Sequence, residues 1–258
     1  MLVRKIYFIL VALMFACLGC EWRMRSDVTS YDANSFVLRY DRMESFFLTS
    51  GDFSALQQMQ THYPLQTRLL IENLLQLGKV EDAHINTIFY SYYQDTTLQR
   101  VISDVGRQYA RMDDLDHQLK TAFERLSRML PNVPVPLVYT QIGSFDQSIV
   151  VGDSVVGISL DKYLGKDYPY YVHYGYSERQ RSMMTRDFIA PDCLSFYLLS
   201  LYPVPSDSLR QQHMGNIQHV VNTALRRLVY RNEYVSRANE LMLAGGHISY
   251  DQLLRGKW

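Results

Sequence analysis

Cys20 follows Gly19 at the end of an uncharged apolar run, and a cysteine so placed is the residue a lipoprotein signal system alkylates with diacylglycerol before the peptide is cut in front of it. Arg4 and Lys5 supply the positive start of such a signal. The run from Ile6 to Leu18 is short for a bilayer span, which needs ~20 apolar residues. Polar chain begins at once behind the cysteine, with Glu21, Arg23, Arg25 and Asp27. Cys17, with Ala16 before it, is the alternative acceptor; it stands where the motif more usually has Leu, and Gly19 favours Cys20. Each buried methylene contributes ~0.8 kcal/mol, so two or three acyl chains make a stable anchor where one is marginal. The competing readings are an ordinary signal peptide and an N-terminal anchor helix.

The other residues with chemical potential carry less. His213 and His219 are six apart, whereas two metal ligands on one helical face need a spacing near four. His219-Val-Val-Asn-Thr223 has the frame of a His-Glu-x-x-His helix without its glutamate or its second histidine, so neither a zinc ligand pair nor a general base is present. A helix-surface histidine is the expectation. Asp113, Asp114 and Asp116 lack the glycine and terminal glutamate of a calcium loop and suit the positive end of a helix. Cys193 lies in the apolar stretch Cys193-Leu-Ser-Phe-Tyr-Leu-Leu and is expected to be buried and inert; alone in the mature chain, it has no internal disulfide partner. Ser144 has no activating partner, and no Gly-x-Ser-x-Gly, phosphate-cradling loop or Cys-x-x-Cys occurs. No catalytic, metal-binding or cofactor-binding set is therefore expected.

Tyrosine is the unusual count, at 20. Six fall between Tyr163 and Tyr176. Such rings either anchor a partner or stack on sugars, or they sit at a core edge with hydroxyls reaching water. Lys166 to Tyr171 is the candidate partner loop, with Tyr168, Tyr170 and Tyr171 around Pro169. Arg179, Arg181 and Arg186 follow it.

The elements that must position these residues change period once. From about residue 37 to 131 the pattern is helical, broken at Gly51-Asp52 and Gly78-Lys79. The clearest helix runs from Asp113 to Leu130, with Leu115, Leu119, Ala122, Phe123, Leu126, Met129 and Leu130 on one stripe. Pro131, Pro134 and Pro136 forbid its continuation. Leu137–Ile142, Ser148–Val151 and Val155–Leu160 then read as strands, with a hairpin turn at Gly152-Asp153-Ser154 and a joining loop at Gly143–Asp146. A small antiparallel meander among helices is the expectation. Pro191 with Asp192 opens a helix to about Leu201. The next carries Met214, Ile217, Val220, Val221, Ala224, Leu225, Leu228 and Val229 on one face, and His219, Thr223, Arg226, Arg227 and Arg231 on the other. Gly245-Gly246 closes a short helix. No repeat or low-complexity tract is present. The fold class is α+β, mainly helical. Its organisation is a signal over 1–19, lipidated Cys20 and tether over 20–36, and one globular domain over 37–258. Basic and acidic residues number 26 each, and loss of Arg4 and Lys5 with the signal leaves a slight acidic excess, so nucleic acid is not a partner.

The run Phe145 to Tyr171 resembles the centre of the GldB family of gliding-motility lipoproteins of Bacteroidota. The family pattern Gly-Leu-Asp-x-Tyr-Leu-Gly is met here by Gly157-Ile-Ser-Leu-Asp161-Lys-Tyr163-Leu-Gly165, with one extra residue before Leu160. Phe188-Ile-Ala-Pro-Asp192 resembles the family's Ile-x-x-Asp helix start. Ala224-Leu-Arg-Arg-Leu-Val-Tyr230 stands where the family has a Gly-Lys-x-Leu-Tyr helix, here without the glycine. The resemblance covers about residues 37 to 235. It implies a non-enzymatic envelope lipoprotein linked to gliding and type IX secretion, with a fold remotely like the zincin metallopeptidases but without their metal site. Family members run on through further helices past the position of Trp258, which marks this chain as a short or divergent member. Glu21-Trp-Arg is not the acidic export tag of a surface lipoprotein in this phylum, which implies the outer membrane's periplasmic face. Two functions follow as expectations. One is a scaffold that binds an envelope protein through its aromatic and arginine surface. The other is a periplasmic hydrolase or glycan-binding module. A shallow aromatic patch favours the first, and a cleft gathering titratable groups from distant segments favours the second.

Overall fold

The computed structural model describes residues 35–244 and 248–257. The signal, Cys20, the tether as far as Asn34 and the Gly245-Gly246 helix stop lie outside the described residues.

The chain enters the fold through a strand that the periodicity hides. β1 is only Val37–Leu38, and it pairs parallel to β2 (Leu137–Gln141), Val37 opposite Val138. Asp116, in the first turn of a helix far along the chain, fixes it: its Oδ1 accepts from the Val37 amide at 2.7 Å and from Ser35 Oγ at 2.6 Å. Helices α1 (Tyr40–Ser50) and α2 (Phe53–His62) follow, separated at Gly51-Asp52, where Asp52 accepts from the Ser54 amide as an N-cap. Pro64 opens α3 (Pro64–Arg68), which runs into a π-helical turn over Leu69–Leu74. α4 (Ile85–Tyr92) and α5 (Thr96–Gln108) lead to α6 (Asp113–Met129), whose Leu115, Leu119, Ala122, Phe123 and Leu126 are buried as their spacing requires.

After the prolines come β2, β3 (Ile149–Gly152) and β4 (Val155–Ser159). The sheet they form is mixed, in the order β1-β2-β4-β3, and not a meander. β3 and β4 make the antiparallel hairpin, but β4 turns back into the gap between β3 and β2 and pairs parallel to β2, Tyr139 opposite Gly157. Two features select this arrangement. Gly157 leaves room for the Tyr139 ring, since a Cβ there would lie 2.6 Å from its Cζ and Oη. The connection from β2 to β3 must then step over β4, a span of about two strand spacings, ~9.5 Å, which a tight hairpin turn cannot make. Its Ser144 and Phe145 take left-handed backbone conformations. All five β4 residues are buried, as suits a strand paired on both sides and covered on both faces.

A 3₁₀ turn, Leu160–Tyr163, leaves β4. The short α7 (Pro169–His173) and α8 (Glu178–Met183) precede α9 (Ile189–Leu201), which packs on β3 and β4. α9 starts at Ile189, so Pro191 sits inside its first turn, where a missing N–H costs nothing. α10 (Arg210–Leu225) is surrounded by α6, α9, α11 (Glu233–Ala244) and α12 (Tyr250–Arg255). Encirclement corrects the sequence reading of its polar face. His213 and His219 are buried, and so are Asn216 and Asn222. The helix also stops at Leu225, with Arg226 left-handed at φ 51°, because Asn222 Oδ1 accepts from the amides of Val229 and Tyr230. Leu228 is consequently exposed and outside the stripe assigned to it. No helix among the described residues is long and apolar enough to cross a membrane.

Candidate functional site

The segment after β4 is built around a buried carboxylate. Asp161 lies just past the strand end, beneath the β2–β3 crossing, and accepts from the amides of Gly143 (2.7 Å) and Phe145 (2.6 Å). Burial pushes its carboxyl above the usual range, and the two amide bonds pull it back in part. Phe145, thus held, is the centre of the aromatic run: Tyr168, Tyr171 and Tyr174 ring centroids stand 6.4, 5.8 and 5.6 Å from it. Tyr171 is fully buried; its hydroxyl accepts from the Leu164 amide at 2.9 Å and donates to the Asp161 carbonyl. It therefore has no surface for a partner, contrary to its place in the candidate loop. Tyr168 is half-buried and donates to Asp104 on α5 at 3.0 Å, and Tyr170 is half-buried against Tyr168. The exposed large apolar side chains of the segment are Val172 and Tyr174. Proline at the first position of α7 turns what reads as a loop into a helical turn, and that turn rotates Tyr171 inward.

The neighbouring Tyr163 links this knot to a cleft. Its backbone carbonyl accepts from Tyr109 Oη at 2.6 Å, and its hydroxyl donates to Asp192 Oδ2 at 2.9 Å. Asp192 is in the first turn of α9. Tyr230, from the segment behind α10, reaches its other oxygen at 3.4 Å and lies 3.3 Å from Ser195 Oγ. These four side chains line the floor of a cavity of about 330 Å³. Met183, Met184, Phe196, Leu199 and Met214 supply apolar walls, and Lys162 stands at one side. Lys162 is committed locally: its ammonium donates to the Phe145 carbonyl (3.1 Å) and Tyr176 Oη (2.9 Å) and lies 4.5 Å from the Tyr176 ring centre. Desolvation pushes the Asp192 carboxyl up to about 6, and the two tyrosine hydroxyls oppose the shift.

The residues converge from six separate stretches of chain. Ser195 has a tyrosine beside it and no histidine. His213 and His219 lie elsewhere, His213 bonded to the Tyr202 carbonyl at 2.7 Å and His219 stacked on Tyr250. Cys193 is buried, and burial raises its thiol far above the reactive range. Among the described residues no group of three or more His, Cys, Asp or Glu is placed to hold a metal ion. Sequence reasoning marked Asp192 only as a helix start; the signal that pointed to it was its place in Ile-Ala-Pro-Asp.

The sequence profile described as "Gliding motility protein GldB" matches residues 21–216, about three-quarters of the chain. The chain belongs to the GldB lipoprotein family. Among curated proteins and among solved structures nothing matches, so the remote likeness to zincins finds no support. The match begins one residue after Cys20, and it takes in both the Asp161–Tyr163–Gly165 segment and Asp192. In this GldB-family chain the two motifs are in direct contact through the Tyr163–Asp192 hydrogen bond.

Proposed function

We propose that this chain is a lipid-anchored accessory of the gliding and type IX secretion machinery, held by Cys20 at the periplasmic face of the outer membrane, and that it works by binding an envelope protein and not by catalysis. Membership of the GldB family carries the reading. The cleft between Tyr163, Asp192 and Tyr230 supports a binding role, because it gathers polar groups at the floor of a cavity with apolar walls. The cleft also favours a second reading, a ligand-binding or hydrolytic module, since its titratable groups come from distant segments. Three methionines and a leucine stand beside the aromatic rings in its walls, an adaptable apolar surface that favours protein binding over glycan binding.

The test is to express wild type and Cys20→Ala in the host under acyl-chain labelling, crosslink intact cells and purify the chain. Wild type should carry label, fractionate with outer membrane and bring down components of the gliding or secretion machinery. Cys20→Ala should lose label and leave the membrane fraction. Normal labelling of the variant would contradict the anchor assignment, and a wild-type chain crosslinked to no envelope protein would contradict the binding role.

A further inference from the structure

Several charged groups that line hollows of this fold are answered within it. The hollow between α6 and the end of α10 holds Arg125, Arg186 and Arg227, but Arg125 caps the Ala224 carbonyl at 3.0 Å, Arg186 pairs with Asp114 at 2.6 Å and Arg227 donates to the Asp187 carbonyl at 2.7 Å. Of the three, Arg125 closes the negative end of α10, and the other two tie loop and turn segments together. Glu44, Tyr139 and Gln141 each have a polar atom without a partner, but all three are fully buried.

Asp192 differs from both. It is open to a cavity, it is bonded only by neutral tyrosine hydroxyls, and no cation pairs with it among the described residues. Lys162, the cation of the same cavity, spends its donors on the Phe145 and Asp146 carbonyls and Tyr176. A carboxylate left without a counter-ion in apolar surroundings is costly unless a partner supplies one. The walls are suited to the stem that would carry that charge. Met183, Met184 and Met214 adapt to a flexible alkyl chain, and the tyrosine and phenylalanine rings accept a cation beside them. Phe196 and Met183 are about two-fifths exposed at the mouth, so apolar surface continues outward beyond the volume of one side chain. That continuation fits a protein segment better than a small amine.

We propose that the cleft receives a lysine or arginine side chain of the envelope partner, its stem between the methionines and Phe196 and its charged head on Asp192. This rests on the reading that the cleft is the partner site. An arriving cation also lowers the raised Asp192 carboxyl, so that binding and ionisation support each other.

The experiment uses the full lipidated chain in phosphatidylcholine nanodiscs, with ¹³C-methyl-labelled methionine, titrated with three blocked peptides. These are Ac-Phe-Lys-Leu-NH2, its norleucine counterpart and its glutamate counterpart. The lysine peptide should shift the methyl resonances of Met183, Met184 and Met214 and bind at least tenfold more tightly than norleucine, with glutamate weakest. Asp192→Asn should erase the preference for lysine. The wild-type ranking alone decides the matter if that variant folds poorly. Norleucine binding as tightly as lysine would overturn the cation proposal while leaving the cleft as a docking site. No methyl shift with any peptide would overturn both.

Discussion

Tyr171 and Tyr170 are neighbours with opposite fates, and the difference is one of backbone rotation and not of residue type. Tyr171 is fully buried, with its hydroxyl bonded on both sides; Tyr170 rests half-buried on Tyr168. Truncating an aromatic ring in a core costs ~3–5 kcal/mol, so Tyr171→Ala should lower thermal stability on that scale. Tyr170→Ala should stay within about 1 kcal/mol, the scale of a surface change. Differential scanning calorimetry of the two variants checks the ordering. Six tyrosines in fourteen residues were legible as an aromatic cluster, but which of them faced inward depended on Pro169 starting a helical turn. Cys193 was legible because an apolar context on both sides leaves a helix little choice. Glu44 was not: nothing local marks a glutamate that α1 turns beneath the sheet. Its Oε2 accepts from the Ile142 amide at 2.9 Å, and its other oxygen has no partner. Burial raises its carboxyl well above the ordinary range; the amide bond opposes this, and Asp41 and Asp161 add to it. Tyr40, Tyr93 and Tyr139 also face it. The folded chain therefore keeps a proton that the unfolded chain gives up. Stability from Glu44 is complete below its ordinary value and is lost as pH rises through the raised one. Relative to wild type, Glu44→Gln should gain stability as pH is taken from about 5 to 9, a trend that urea titrations at each pH would record. A constant difference across that range would show that Glu44 ionises normally.

At the scale of elements, α6 and the β3–β4 hairpin were readable because their signals are local: a stripe at helical spacing, and a Gly-Asp-Ser turn between β-branched runs. The parallel pairing of β2 with β4 was not, since a strand's own residues say little about which neighbour it takes. β1, two residues long, gives no period to read, and its place depends on Asp116 from α6. α10 misled for a different reason. A helix packed on one side has one buried stripe, but α10 is packed on several, and its buried polar residues serve as connectors: His213 to the Tyr202 carbonyl, Asn216 to the Leu253 carbonyl. Its contact with α11 is close at Gly215, where a Cβ would stand 2.3 Å from Tyr234 Cβ and 2.7 Å from its backbone carbon. Alanine favours a helix by up to ~1 kcal/mol over glycine. Backbone cannot yield as a side-chain tip does, so overpacking at ~1–3 kcal/mol outweighs that gain. Gly215→Ala should be net destabilising and should loosen α11 first, seen as faster amide exchange in Glu233–Ala244 than in α6. A stabilised variant would mean that the two helices can part without loss.

At the scale of the whole molecule, two short motifs that resemble those of the GldB family prove to be one structure. Asp161 holds the crossing loop, Tyr163 passes from that knot to Asp192, and Asp192 with Tyr230 makes the floor of the cleft. The sequence resemblance placed the chain in its family, and the match over residues 21–216 agrees. The cleft itself was out of reach, because its lining comes from segments between residues 148 and 230 that only the fold brings together. We propose that this cleft is where the chain meets its envelope partner. The most direct measurement places a photo-crosslinking amino acid at Phe196, on the exposed rim, and at Phe53 as an exposed position on α2, in intact cells. The account predicts one discrete envelope-protein adduct from position 196, absent from position 53 and lost when Asp192→Asn is added. An adduct of equal yield from both positions, or one from position 196 that survives Asp192→Asn unchanged, would contradict it.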